Sequence, residues 1–171
     1  MRAAWVILAI TLALVLQTQT PLGRFMIRGA IAVDLVLVVV TYVALTSGPV
    51  TGLLSGTVAG LVQDALSSGV VGIGGLAKTI VGFLAGLVGS QFIVTQPLPR
   101  FVVFFTATLL DRLVFIGLYV ILGLRPFGTS YTGVAGQAVG NAVVGIVAFQ
   151  LVELLPGAME RRRMAKSRIR R

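Results

Sequence analysis

Six long apolar segments constrain this chain more than any other feature of its sequence. Each is long enough to cross a hydrocarbon core of about 30 Å at about 1.5 Å per residue. Only 11% of the residues are charged, whereas soluble domains average about 25%. The sequence therefore predicts an all-α polytopic membrane protein, with six transmembrane helices in residues 1–157 and a basic tail in 158–171. The segments lie near residues 3 to 20, 29 to 46, 50 to 67, 74 to 93, 101 to 122 and 134 to 155.

The first segment has two possible interpretations. Arg2 followed by apolar residues to Leu16 has the pattern of a secretory signal peptide. The stretch "LVLQTQTPLG" contains no pair of small residues for cleavage, and removal would leave five spans with termini on opposite sides. We expect a retained first helix.

The distribution of Lys and Arg predicts the orientation, because cytoplasmic flanks are enriched in them. With six spans, the tail lies on the same side as Arg2 and Arg100, and the opposite side carries Arg24, Arg28 and Arg125. Both termini are therefore predicted to be cytoplasmic. The basic residues of the tail are Arg161, Arg162, Arg163, Lys166, Arg168, Arg170 and Arg171.

The formal charge of +9 is concentrated in this tail, which has no interleaved aromatic residues. Nucleic-acid binding is therefore not expected. Juxtamembrane basic residues gain about 1 kcal/mol each near anionic lipid, so one interpretation is an anchor on lipid headgroups. The other is a docking site for a cytoplasmic protein.

The residue types limit the available chemistry. There is no Cys and no His, which removes thiolate nucleophiles, imidazole bases and the usual zinc sites. No nucleophile elbow or phosphate-binding loop accompanies the carboxylates. We expect no catalytic activity, cofactor or metal.

A row of glycines runs through the third segment, at Gly48, Gly52, Gly56 and Gly60. Two further pairs repeat the spacing, Gly82 with Gly86 in the fourth segment and Gly136 with Gly140 in the sixth. Small residues allow helices to approach closely in lipid, where water supplies no driving force. The row indicates either tight packing inside the chain or a groove for the helix of another protein.

Several polar residues lie inside the predicted spans, where a charge costs about 2.5 to 3.5 kcal/mol at a helix centre. Counting along the helices places Asp34, Asp64 and Lys78 within about 8 Å of the outer surface. It predicts an Asp64–Lys78 pair, which either seals the bundle or forms the floor of an outward-facing cavity. The same counting places Asp111, Arg112 and Asn141 near the midplane. The full set is Asp34, Gln63, Asp64, Lys78, Asp111, Arg112 and Asn141.

Prolines predict two of the breaks between helices. "QPLPR" (96–100) separates the fourth span from the fifth, and "LLPGAMERRR" is expected to end the sixth. Proline removes a backbone donor and disfavours the helical conformation of the residue before it.

The stretch from Gly48 to Gly86 resembles the core signature of the MreD family of rod shape-determining membrane proteins. Glycines at every fourth position lead to Leu61, Gln63 and Asp64, followed by a short loop with Gly72 and a helix carrying Lys78. The preceding Asp34-Leu35 is similar to the start of the family's second helix, although the usual proline is absent. The resemblance implies a non-catalytic subunit of the cell-elongation machinery. Its implied partners are MreC and, through MreC, RodA, its penicillin-binding transpeptidase and MreB.

The resemblance also implies a fold similar to the substrate-binding subunits of energy-coupling-factor transporters. Those subunits supply the alternative function, a vitamin importer with an outward-facing pocket. They dock their coupling protein through an A-x-x-x-A pattern on the first helix, which Ala9 and Ala13 satisfy.

Overall fold

The computed structural model describes the backbone of residues 2–19, 33–67, 70–92, 96–124 and 131–169. It describes the side chains of residues 5–17, 33–67, 70–92, 96–124 and 132–153. Within these ranges the structure is helical and contains no strand. The helices are α1 (Arg2–Gln19), α2 (Leu35–Ser47), α3 (Pro49–Leu66), α4 (Ile73–Gln91), α5 (Pro97–Ile121) and α6 (Tyr131–Ile169).

Three of the described helices are long and apolar enough to cross a membrane: residues 73–91 in α4, 97–121 in α5 and 132–153 in α6. Residues 5–17 of α1 and 35–47 of α2 form shorter apolar helices. Helix α3 is in neither group, because its glycines and two adjacent polar residues, Gln63 and Asp64, lower its mean hydropathy.

Helix α2 is the centre of the bundle and packs against each of the other five described helices. Val36, Val40 and Ala44 are fully buried within it. A helix that is apolar around its whole circumference suits an interior position, and the sequence "LVLVVVTYVALTS" has this property.

Two helices begin at least four residues from the places predicted. The second helix starts at Leu35 rather than near residue 29, and residues 29–32 lie outside the described part of the chain. Helix α5 starts at Pro97, four residues before the predicted span, with Gln96 as its N-cap. Proline is tolerated in the first helical turn because its missing N–H would have no partner there. "QPLPR" therefore contains both the break and the start of the next helix.

The prediction that "LLPGAMERRR" ends the last helix is wrong. Helix α6 continues as far as Ile169. Proline removes one intrahelical hydrogen bond and crowds the preceding turn, but the backbone is helical on both sides of Pro156. The division into a membrane domain, 1–157, and a tail, 158–171, stays a prediction.

Candidate functional site

A buried carboxylate at the start of α2 is the centre of the candidate site. Asp34 is 2% exposed and forms the N-cap of α2, where its Oδ1 accepts a hydrogen bond from the backbone N–H of Leu37 at 3.0 Å. The amide nitrogen of Gln63, on α3, donates to the same oxygen at 3.4 Å. Asp is among the preferred N-cap residues because its short side chain reaches these free backbone donors.

A buried lysine joins this carboxylate to a second one. Lys78, on α4, is 5% exposed, and its Nζ lies 3.0 Å from Asp34 Oδ2 and 3.6 Å from Asp111 Oδ1. Asp111, on α5, is 1% exposed. Because a charge removed from water is stable only when it is paired, Lys78 links α2, α4 and α5.

An amide side chain extends the contacts to α6. The Oδ1 of Asn141 accepts a hydrogen bond from the backbone N–H of Asp34 at 2.8 Å. Its Nδ2 donates to Thr108 Oγ1 at 3.0 Å, and the Thr108 hydroxyl donates to the carbonyl of Phe104 at 2.8 Å. Polar side chains from α2 to α6 therefore form one set of contacts. We call this set the polar cluster: Asp34, Gln63, Lys78, Thr108, Asp111, Arg112 and Asn141.

The predicted Asp64–Lys78 pair is wrong. Asp64 is half-buried, and its Oδ2 accepts hydrogen bonds from the backbone N–H groups of Gly72 at 2.9 Å and Gly75 at 3.0 Å. It therefore caps the start of α4, where free N–H groups and the helix dipole favour a carboxylate. Because Lys78 lies more than one turn further along α4, its side chain reaches Asp34 and Asp111 instead.

The separation of the charges into an outer level and a midplane level is also wrong. Asp111 and Asn141 lie in the same set of contacts as Asp34 and Lys78. Counting residues from each span's outer end assumed that the spans begin at one depth. Asp34 in fact lies before the first turn of α2. The long side chain of Lys78 reaches from α4 to the carboxylates of Asp34 and Asp111.

Arg112 is the second cation of the polar cluster. It is half-buried, its guanidinium lies 5.8 Å from the centre of the Phe115 ring, and it is near enough to interact electrostatically with Asp34 and Asp111. Two carboxylates are therefore accompanied by two cations. Among the described residues no three acidic, His or Cys side chains come together to hold a metal. The chemistry of the cluster is the pairing of helices through charge and hydrogen bonds.

The glycine row of α3 faces α4 inside the chain. A Cβ at Gly52 would overlap the carbonyl oxygen of Gly82 and lie 2.7 Å from the Cβ of Ala44. A Cβ at Gly56 would overlap the backbone of Lys78, and one at Gly60 would lie 2.6 Å from Gly75 Cα. The absence of side chains therefore brings the two backbones into contact.

Two further glycines lie where α3 begins, at one end of the α3–α4 hairpin. Gly86 lies against the start of α3, where a Cβ would be 2.6 Å from Pro49 N. Gly48 makes the turn between α2 and α3 with φ of +89°, a value that L side chains rarely adopt. On α6, Gly136 and Gly140 are half-buried. Gly145, on the same helix, packs against a neighbour, since a Cβ there would lie 2.6 Å from the ring of Phe104.

A second charged contact lies near the start of α5 and was not predicted. Arg100 is 3% exposed, makes a two-bond ion pair with the exposed carboxylate of Glu153 on α6, and lies 4.2 Å from the centre of the Phe149 ring. Tyr42 meets the same ring edge-on, with centroids 4.6 Å apart. The sequence gives only a weak signal for this contact, because the paired charges lie 53 residues apart and each has the ordinary appearance of a residue at a membrane surface.

Apolar grooves lie along two faces of the bundle. One, of about 580 Å³, lies between α4 and α5 and is lined by residues such as Leu84, Val103 and Leu109. Two adjoining cavities of about 410 and 400 Å³ lie between α1 and α3 and share Ile7, Ile10 and Val58. We call the joined pair the α1–α3 groove. None of the three is lined by a residue of the polar cluster.

Part of the predicted basic tail can be placed on an element. Residues 161–168 belong to α6 as backbone, and their side chains lie outside the described part of the chain. Arg170 and Arg171 lie wholly outside the described part of the chain.

Comparison with known proteins identifies one family. The family model described as rod shape-determining protein MreD matches residues 1–156. No curated protein and no solved structure matches the chain.

Proposed function

Because the chain belongs to the MreD family of rod shape-determining membrane proteins, we propose that it is a non-catalytic scaffold of the bacterial cell-elongation machinery. In this role it binds the single transmembrane helix of MreC. Through MreC it associates with the MreB filament and supports peptidoglycan synthesis by RodA and its penicillin-binding transpeptidase.

The proposed arrangement has six transmembrane helices in the inner membrane and both termini in the cytoplasm. Three helices that are long and apolar enough to span, together with the shorter apolar helices α1 and α2, support it. The excess of Lys and Arg in the tail supports a cytoplasmic C-terminus. We further propose that the six helices adopt an architecture similar to energy-coupling-factor substrate-binding subunits.

The polar cluster is the observation on which the proposal rests most. Asp34, Lys78 and Asn141 join α2, α4 and α6 through buried contacts of 2.8 to 3.0 Å. Such contacts specify one arrangement of helices, because leaving any of these groups unpaired in an apolar interior is costly. A scaffold needs a surface of fixed shape, and buried paired charges of this kind provide one.

The α1–α3 groove is the surface that we assign to the partner helix. The glycine row of α3 is occupied by α4, so the partner must use the opposite face. On that face Leu54 and Val58 are 57% and 58% exposed. The lining residues extend along α3 from Thr51 to Leu66, a length of about 23 Å at about 1.5 Å per residue, which matches most of a transmembrane helix.

Small hydroxyl side chains in this groove also favour a helix as its occupant. Ser47, at the end of α2, and Thr51 and Ser55, on α3, line one wall of the groove. In lipid, interfaces between helices are enriched in small and hydroxylated residues, since these allow close approach. The basic tail adds a second attachment, to anionic lipid or to the cytoplasmic filament.

Depletion of the protein in its host, with complementation by variants, tests the proposal. Loss of rod shape on depletion, restored by the wild-type chain, is the expected result. Purification of the chain from native membranes is expected to recover MreC and peptidoglycan synthases. Recovery of an ATPase pair instead, with uptake of a labelled vitamin, would contradict the proposal in favour of import.

A further inference from the structure

Arg112 lies in the apolar helix α5 with a guanidinium that no described side chain bonds. The residue is half-buried, and its buried Nε has no hydrogen-bond partner among the described residues. The ion pairs of the polar cluster join Lys78 to Asp34 and Asp111 and leave Arg112 out. A guanidinium carries five N–H donors, and a polar group without a partner is costly in an apolar medium. The donors of Arg112 are therefore available to an acceptor from outside the chain.

The contacts between α5 and α6 define the register of the two helices. Asn141 donates to Thr108 at 3.0 Å. Four residues further along α6, a Cβ at Gly145 would touch the ring of Phe104, which lies four residues earlier in α5. The two helices are therefore antiparallel, and one turn of α6 matches one turn of α5.

A buried amide lies across from Arg112 in this register. One turn from Asn141, toward the start of α6, the register sets Gln137 opposite Arg112. Gln137 is 6% exposed, and no hydrogen bond joins its amide to any described residue. A turn earlier still, a Cβ at Gly133 would meet nothing within 4 Å, so the space beside it is open. We call Arg112, Gln137 and Gly133 the α5–α6 notch.

We propose that the α5–α6 notch binds the phosphate of an anionic membrane lipid. The guanidinium fork of Arg112 matches two phosphate oxygens, and the amide of Gln137 donates to a third. Lipid is the medium expected beside this site, because Leu109 and Leu113, next to Arg112 on α5, are 38% and 70% exposed. Large exposed apolar side chains of this kind mark a surface that contacts membrane or protein.

The depth of the notch suits a lipid headgroup. Asp111, the neighbour of Arg112, pairs with Lys78, which lies five residues after the start of α4, or about 8 Å along that helix. A long Arg side chain keeps its stem in apolar surroundings and extends its charge to the membrane surface. In the proposed topology this end of the bundle is extracytoplasmic, so the lipid belongs to the outer leaflet. The site is therefore separate from the basic tail.

Native mass spectrometry of the purified full chain tests the proposal. The chain in detergent is titrated with phosphatidylglycerol and, separately, with a neutral diacyl glycolipid that has no phosphate. Arg112→Gln removes the guanidinium, and Gln137→Leu removes the amide without changing the charge. Arg125→Gln is the matched control, because it removes the same charge from the same predicted side and leaves the notch residues intact.

We expect the wild-type chain to bind its first phosphatidylglycerol about tenfold more tightly than the glycolipid, because hydrogen bonds between charged groups are strong. Arg112→Gln and Gln137→Leu are each expected to lower this preference several-fold, and Arg125→Gln is expected to keep it. Equal binding of the two lipids to the wild-type chain would overturn the proposal and leave an acidic side chain of another protein as the partner of Arg112. A preference that Arg112→Gln does not change, or that Arg125→Gln lowers as much, would also overturn it.

Discussion

At the scale of single residues, the buried charges have partners that sequence spacing does not reveal. Asp64 and Lys78 are close in sequence and opposite in charge, yet the structure pairs Lys78 with Asp34 and Asp111. Asp64 satisfies backbone donors instead. A carboxylate near the start of a helix has this second option, and a pattern of charges alone does not distinguish the two.

A double-mutant cycle distinguishes these partners. Lys78→Met is expected to lower the free energy of unfolding by about 3 to 5 kcal/mol, because it leaves two buried carboxylates without their ammonium partner. Asp34→Asn is expected to lower it by less, because Lys78 keeps Asp111 as a partner at 3.6 Å. The double variant is expected to lose much less than the sum of the two. Thermal unfolding of the purified protein in detergent measures all three.

A control cycle combines Lys78→Met with a substitution at Asp64 instead of one at Asp34. Asp64→Asn is expected to cost about 1 kcal/mol through the weakened cap of α4. Its effect is expected to add to that of Lys78→Met within about 0.5 kcal/mol. Rescue of the Asp64 variant by the change at Lys78 would mean that these two residues are partners after all.

Arg100 gives a second prediction at this scale. Its guanidinium makes two bonds with Glu153 and lies over the Phe149 ring, a combination that the ammonium of lysine does not reproduce. Arg100→Lys is expected to lower stability by about 1 kcal/mol. Glu153→Gln is the comparison variant, with a smaller expected effect because its side chain is 54% exposed. A larger loss from Glu153→Gln would contradict this account in the same unfolding measurement.

At the scale of helices, the glycine contacts make α3 and α4 a closely packed hairpin. Gly52 and Gly82 meet backbone to backbone, and Gly56 meets the backbone of Lys78. The same contact positions Lys78, so packing of the hairpin and pairing of the charges depend on each other.

Matched glycine substitutions test this close packing. Gly56→Ala puts a Cβ into the Lys78 backbone and is expected to cost more than about 2 kcal/mol, because backbone cannot move aside cheaply. Gly117→Ala, in the interior of α5, has nothing within 4 Å of the new Cβ. It is expected to be neutral or to stabilise by up to about 1 kcal/mol through helix propensity. Similar unfolding temperatures for the two variants would contradict the close packing of the hairpin.

At the scale of the whole molecule, the long apolar segments and the family resemblance predict more than residue counting does. The helices α3 and α4 lie within two residues of their predicted bounds, because glycines and polar residues mark their ends. The junctions between distant helices were not predictable. The Arg100–Glu153 contact and the meeting of Asn141 with Asp34 depend on how six helices pack, and packing leaves no periodic signal in one sequence.

The described part of the bundle has two apolar grooves on its surface, and we assign the partner helix to the α1–α3 groove. Val58 lies in the groove and is 58% exposed. Val120, on α5, is 62% exposed and lines none of the grooves described above, which makes it a matched control.

Site-specific photo-crosslinking in living cells tests this central claim most directly. A photoreactive residue at position 58 is expected to form a covalent adduct with MreC, and one at position 120 is expected to form none, while both variants maintain rod shape. Equal adducts from both positions, or an adduct from position 120 alone in cells that keep their shape, would contradict the account.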